Sequence, residues 1–147
     1  MKLTKILSAV LLLSSLCYGG QWINFFANAK VTCQAVEGQY LWIGTEKYLS
    51  KLNTLTGEVT EVYSLNYCSS IAVDQQGNKW IGTNAGLFKF DGQGMTKYNT
   101  GNSGLPGSYV RSVAVDPQGN KWIGVDEGKL VKYEGQNWTE YPNAVGV

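Results

Sequence analysis

The chain has 147 residues, 44% of them hydrophobic and 16% charged, with a formal net charge of +1. That balance is globular, and it excludes a disordered tail or a surface that holds nucleic acid by excess positive charge. The 18 Gly, 9 Tyr and 5 Trp predict short strands joined by tight turns, and the lack of any His removes the commonest general base and metal ligand.

The N-terminus carries Lys2 and Lys5, then an apolar run from Ile6 to Leu16, then small residues at Cys17, Gly19 and Gly20. This order predicts a secretory signal peptide over residues 1–19, cleaved near Gly19 and too short to remain as a membrane anchor. Lipid attachment at Cys17 is disfavoured because Leu16, just before it, is not small. The mature chain would keep ten basic against eleven acidic side chains, a net charge of −1 with no attraction for nucleic acid or an anionic membrane. It would be periplasmic or extracellular, with no membrane insertion. Cys33 and Cys68 would then share an oxidising compartment.

Residues 21–26, Gln21-Trp-Ile-Asn-Phe-Phe26, align with Gln136-Asn-Trp-Thr-Glu-Tyr141 and predict a lone outer strand. Beyond it the chain repeats. Ile71-Ala-Val-Asp-Gln-Gln-Gly-Asn-Lys-Trp-Ile-Gly82 recurs 42 residues later as Val113-Ala-Val-Asp-Pro-Gln-Gly-Asn-Lys-Trp-Ile-Gly124. A worn copy stands upstream as Gln34-Ala-Val-Glu-Gly-Gln-Tyr-Leu-Trp-Ile-Gly44, its turn one residue shorter. Each unit parses into four strands: an alternating segment, an Asp-x-Gln-Gly-Asn turn, a Lys-Trp-Ile-Gly strand, and two more strands around an Asp-Gly or Glu-Gly turn. Units of about 40 residues with four antiparallel strands and one aromatic anchor have the pattern of β-propeller blades. The expected fold is therefore all-β, with three four-stranded blades at about 30–63, 67–98 and 110–141.

The residue roles follow from that layout. Gly77 and Gly119 suit the left-handed position of a hairpin turn, where Asp74 and Asp116 can bond their own backbone. Trp42, Trp80 and Trp122 should fill the gaps between blades, and Gly44, Gly82 and Gly124 should let backbones approach closely. The Asp74 and Asp116 turns lack the alternating carboxylates and closing Glu of a calcium loop, so no metal site is expected there.

The segment Ser69 to Asp91 resembles the two-component-regulator propeller repeat, and Tyr98-Asn-Thr-Gly-Asn-Ser-Gly-Leu-Pro106 resembles the spacer between its blades. The resemblance covers roughly residues 20–147. It implies a periplasmic sensing portion of the kind found in hybrid sensor kinases, or a free-standing surface or secretion-associated propeller. The first unit departs from the pattern: Tyr48 stands where the second unit has Gly86, and Leu55-Thr-Gly-Glu lengthens the outer turn. The streptogramin-lyase propellers, a similar enzyme family, depend on histidine and magnesium, and this chain has no histidine. Asp126 and Glu127 read as a solvated acidic loop, so no catalytic residue and no cofactor is expected.

Connectors and the loops between second and third strands should converge on one end of the ring. That end would collect Tyr48, Tyr67, Asn84, Tyr109, Arg111 and Asp126. Aromatic and amide side chains suit a sugar, whose ring offers an apolar face to stack on and hydroxyls to bond. A carbohydrate or other small molecule is the ligand class the resemblance implies, in a non-catalytic sensing or recognition module; the alternative is a structural, protein-docking propeller. Propellers close with about four to eight blades. Three units would leave two apolar faces needing further blades or a homo-oligomer to cover them, and a partial ring is favoured over self-assembly. Cys33 and Cys68 begin neighbouring first strands at levels two residues apart, about 7 Å along the strands, which favours two thiols over a bridge.

Overall fold

The computed structural model describes residues 30–141, together with the backbone path of 16–18 and 21–23. Short strands β1 (Leu16–Tyr18) and β2 (Gln21–Ile23) pair antiparallel. The remainder of the expected leader and of the strand expected over 21–26 lies outside the described residues.

Twelve strands follow in three antiparallel sheets, each laid down in chain order. Blade I holds β3 (Val31–Glu37), β4 (Tyr40–Thr45), β5 (Tyr48–Asn53) and β6 (Val59–Ser64). Blade II holds β7 (Cys68–Val73), β8 (Lys79–Thr83), β9 (Gly86–Phe90) and β10 (Met95–Tyr98). Blade III holds β11 (Val110–Val115), β12 (Lys121–Val125), β13 (Lys129–Glu134) and β14 (Asn137–Tyr141). The one helical turn among the described residues is the short 3₁₀ segment Asp126–Gly128.

The repeated turns explain the repeated letters. Gly77 and Gly119 hold φ of +77° and +83°, a region closed to most side chains. Asp74 Oδ1 accepts from the amides of Gln76 and Asn78 at 3.1 and 2.9 Å, and Asp74 Oδ2 accepts the Trp80 indole N–H at 2.8 Å. Asp116 likewise takes Asn120 and, at 3.0 Å, Trp122. In blade I the shorter turn swaps Asp for the longer Glu37, which still reaches the Trp42 indole at 2.7 Å. Asp74 and Asp116 thus close their turns, and all three acids orient their tryptophans, a role that reading the turn alone does not suggest.

The first strands run side by side, and each is bulged at the same place, leaving Thr32, Ser69 and Arg111 out of register. The bulge hydroxyls stitch blade to blade. Thr32 donates to the carbonyls of Gly44 and Cys68, and Ser69 donates to that of Val110. Gly44 and Gly82 lie where the next blade presses in. A Cβ on Gly44 would come 2.6 Å from Cys68 Cβ, and one on Gly82 would come 2.9 Å from Val110.

Alternation along the second strands gives every blade two faces. Trp42 and Trp80 point toward the following blade and are almost fully buried, at 1% and 2% exposure. Lys79 with Ile81, and Lys121 with Ile123, point back toward the preceding blade. Two apolar clusters fill the seams, one around Trp42, Ile71, Ile81 and Phe90, the other around Trp80, Val113, Ile123 and Tyr133. Through each seam runs a lysine. Lys79 Nζ pairs with Glu37 at 3.1 Å and stands 4.7 Å over the Trp42 ring. Lys121 Nζ lies 3.6 Å from Asp74 and 4.7 Å over Trp80. The buried charge is admitted because carboxylate, indole face and a glycine carbonyl all receive it. On the backward face of blade I, Leu41, Ile43 and Leu52 are buried as a third cluster.

The thiols face each other across the first seam. Cys33 Sγ lies 3.5 Å from the Cys68 carbonyl, and both cysteines are free. Burial pushes the Cys33 thiol up to about 12, helped by Cys68, and pushes Cys68 up to about 11.

Candidate functional site

The connectors that lead into blades II and III are tied to the loops following β4 and β12. Leu65 N–H donates to Lys47 O at 2.8 Å, Tyr67 N–H to Glu46 O at 3.1 Å, and Asp126 N–H to Tyr109 O at 3.1 Å. These bonds gather connectors and loops at one end of the sheets, so the side chains expected there share a surface. The longer connector, 99–109, is braced by hydrogen bonds among Asn99, Asn102 and Ser103, and it sinks Leu105 into the second seam.

Four of the six expected residues touch in a chain. Tyr67 and Tyr109 occupy equivalent repeat positions, and their ring centroids lie 6.2 Å apart at 53°. The Arg111 guanidinium stands 4.3 Å over the Tyr109 ring, and its Nε donates to Asp126 Oδ1 at 2.6 Å. Arg111 is an ion-pair partner here because it occupies the bulge position where Thr32 and Ser69 bond the next blade. Asp126 reaches it because the 3₁₀ turn folds the β12–β13 loop back.

The group is open to solvent yet pre-arranged. Arg111 and Asp126 side chains are 63% and 38% exposed, so solvent screens their pair, which adds little to stability and stays available to a ligand. The hydrogen bond that Arg111 donates to Asp126 raises the Arg111 pKa, and burial followed by the neighbouring Tyr67 raises that of Tyr109. The site offers two phenol rings, a guanidinium and a carboxyl group. Tyr67 adopts φ of +44°, a left-handed conformation that an aromatic residue rarely takes and that is held by its amide bond to Glu46.

Tyr48 and Asn84 are exposed at the same end, but among the described residues neither side chain bonds to this group. Tyr48 stands where blade II has Gly86 at φ +123°, and it has no positive φ; the Thr45 hydroxyl accepts from the Lys47 and Tyr48 amides as Thr83 accepts from Ala85. Glu127, 80% exposed, pairs only loosely with Lys129 at 3.7 Å. No group of three metal-ligating side chains occurs among the described residues. The Asp74 and Asp116 carboxylates are taken up by their own turns and tryptophans. The lysines of the seams are the residues that sequence reasoning missed; their signal was the Lys repeated directly before Trp80 and Trp122.

No family model and no curated protein matches the chain. Solved structures do. The extracellular domain of a hybrid two-component system from B. thetaiotaomicron superposes with a TM-score of 0.70 at 27% identity, over 85% of this chain and 19% of that one. PorZ, a surface component of the type-IX secretion system of Porphyromonas gingivalis, gives 0.63 at 19% identity, over 79% and 19%. Virginiamycin B lyase from Staphylococcus aureus gives 0.66 at 19% identity, over 86% and 44%. The chain thus spans less than a fifth of the sensor and secretion chains. Its blades are those of propeller-type extracellular domains, in line with the repeat resemblance. No helix among the described residues is long and apolar enough to cross a membrane.

Proposed function

We propose that the chain is a non-catalytic recognition element of an exported propeller that resembles hybrid-sensor extracellular domains, and that it binds carbohydrate at the Tyr67–Tyr109–Arg111–Asp126 end. The observation that carries this reading is the pair of tilted tyrosine rings beside an exposed, hydrogen-bonded Arg–Asp pair. A pyranose matches both parts: its C–H face stacks on a phenol ring, and its vicinal hydroxyls bridge guanidinium and carboxylate. Catalysis is not part of the proposal, because the one carboxylate in the group is bound to Arg111 and faces no second acid.

The experiment is a glycan array followed by calorimetry on the full chain and on Tyr109→Ala and Arg111→Ala. Binding weakened at least tenfold by either substitution, with the glycan recovered intact after incubation, is the expected result. An array without hits, or a Tyr109→Ala protein that binds as well as its parent, rules out this site.

A further inference from the structure

Each tryptophan of the repeat carries a lysine of its own blade at long range: Lys51 stands 5.4 Å over Trp42, Lys89 5.8 Å over Trp80, and Lys132 5.6 Å over Trp122. Trp42 and Trp80 carry a second, nearer lysine from the following blade, at 4.7 Å in both cases. The ring opposite that lysine in the strand register also comes from the following blade. Lys79 is paired with Phe90, which meets Trp42 edge-on at 5.7 Å; Lys121 is paired with Tyr133, which meets Trp80 at 5.7 Å. Trp122 has neither. It is half-buried, its ring neighbour is Tyr141 of its own blade, and Ser112 and Ala114 beside it are exposed.

We propose that the forward face of blade III, formed by Asp116, Trp122 and the inner strand β11, is a docking surface for a further propeller blade. The occupant carries lysine at the first position of its second strand and an aromatic residue opposite it on its third. The complementarity is of charge and shape: Asp116 already orients Trp122 as Asp74 orients Trp80, and the lysine is what the two filled seams add.

The same observations argue against a second copy of this chain as occupant. In a ring of two chains, blade III would meet the backward face of blade I. There the paired positions are Leu41 and Leu52, which would bring no charge to Asp116. Both leucines are already buried, at 6% and 0% exposure.

The test uses hydroxyl-radical footprinting of Trp122, with Trp80 as the internal reference, and sedimentation for mass. The full chain is compared with a version extended after Tyr141 by a copy of residues 99–141, and with that extension carrying Lys121→Leu and Tyr133→Leu in the appended copy only. In the full chain we expect a monomer whose Trp122 is modified several-fold faster than Trp80. The lysine-bearing extension should bring Trp122 down to the Trp80 rate, and the leucine extension should protect it at least threefold less. Equal protection by the two extensions overturns the proposal, as does a full-chain dimer in which Trp122 is protected. Should an extension fail to fold by circular dichroism, the mass and Trp122 rate of the unaltered chain still decide between a lysine-bearing blade and a second copy.

Discussion

The seam between blades II and III and the forward face of blade III are built from the same residues at the same repeat positions, yet they differ in state. Trp80 is 2% exposed, with Lys121 above it and Tyr98 and Tyr133 against it. Trp122, bonded to its aspartate in the same way, is half-buried. The difference shows that the turn, the indole bond and the strand pairing belong to one blade, whereas burial belongs to two. A blade repeat specifies half of an interface twice over.

The largest expected effect breaks that comparison at the tryptophans. Trp80→Ala should cost about 3–5 kcal/mol in urea denaturation, the range for a buried aromatic. Trp122→Ala should cost less than half as much, since its ring loses fewer contacts. Equal losses would mean that blade III is already covered.

Glycine substitutions sharpen the same contrast at the inner strands. Gly44→Ala and Gly82→Ala push a methyl against Cys33 and Ser69 of their own blades and also against Cys68 and Val110 of the next, and each should cost about 1–3 kcal/mol as overpacking. Gly124→Ala would meet only the side chain of Ser112 in its own blade. A smaller shift in thermal midpoint is expected there, as a rotamer change of Ser112 relieves the contact.

Removing a seam lysine comes next. Lys121→Met leaves the Asp74 carboxylate, 1% exposed on its side chain, without its cation, for a loss of about 1–3 kcal/mol. Lys132→Met, on the open face and paired with Glu134, should shift the denaturation midpoint far less. Denaturation midpoints of the two variants compare them directly.

The pH dependence has the same origin. Burial pushes the Asp74 carboxyl up, but hydrogen bonds from Trp80 and Asn78 and the charge of Lys121 outweigh it and hold the group below its ordinary value. Asp116, subject to the same burial and to bonds from Trp122 and Asn120, is held at about 2. Both groups stay ionised in the folded chain after the unfolded chain has taken up protons, so their stabilisation is full above about pH 4 and is lost as pH falls through the lowered values. Thermal melts from pH 7 to pH 2 should show the loss, and Asp74→Asn should flatten it. The smallest effect is at the thiols: with pKa values raised to about 12 and 11, Cys33 and Cys68 should react with a disulfide reagent at pH 8 far more slowly in the folded chain than in urea.

The four-strand period, the turn glycines and the inter-blade tryptophans were all legible as repeated letters, because strand alternation and positive-φ turns are local demands that each copy must meet by itself. The shared end of Tyr67, Tyr109, Arg111 and Asp126 was legible too, since repeat register places connectors beside second-strand loops. Their contacts were not. Arg111 could have continued the bulge stitching of Thr32 and Ser69, and only the 3₁₀ turn at Asp126–Gly128 gives it a partner. Tyr48 and Asn84 have the right level in the repeat, but among the described residues their side chains make no bond to that group.

The sequence by itself determined the blade, its strand order and the glycine turn that recurs in it. Only the tertiary structure decided that Lys79 and Lys121 cross to the preceding blade and that Leu41 and Leu52 are buried while Trp122 is not. The physical reason is that a lysine before a tryptophan points to the opposite sheet face, and which carboxylate it meets there depends on the neighbouring blade rather than on its own.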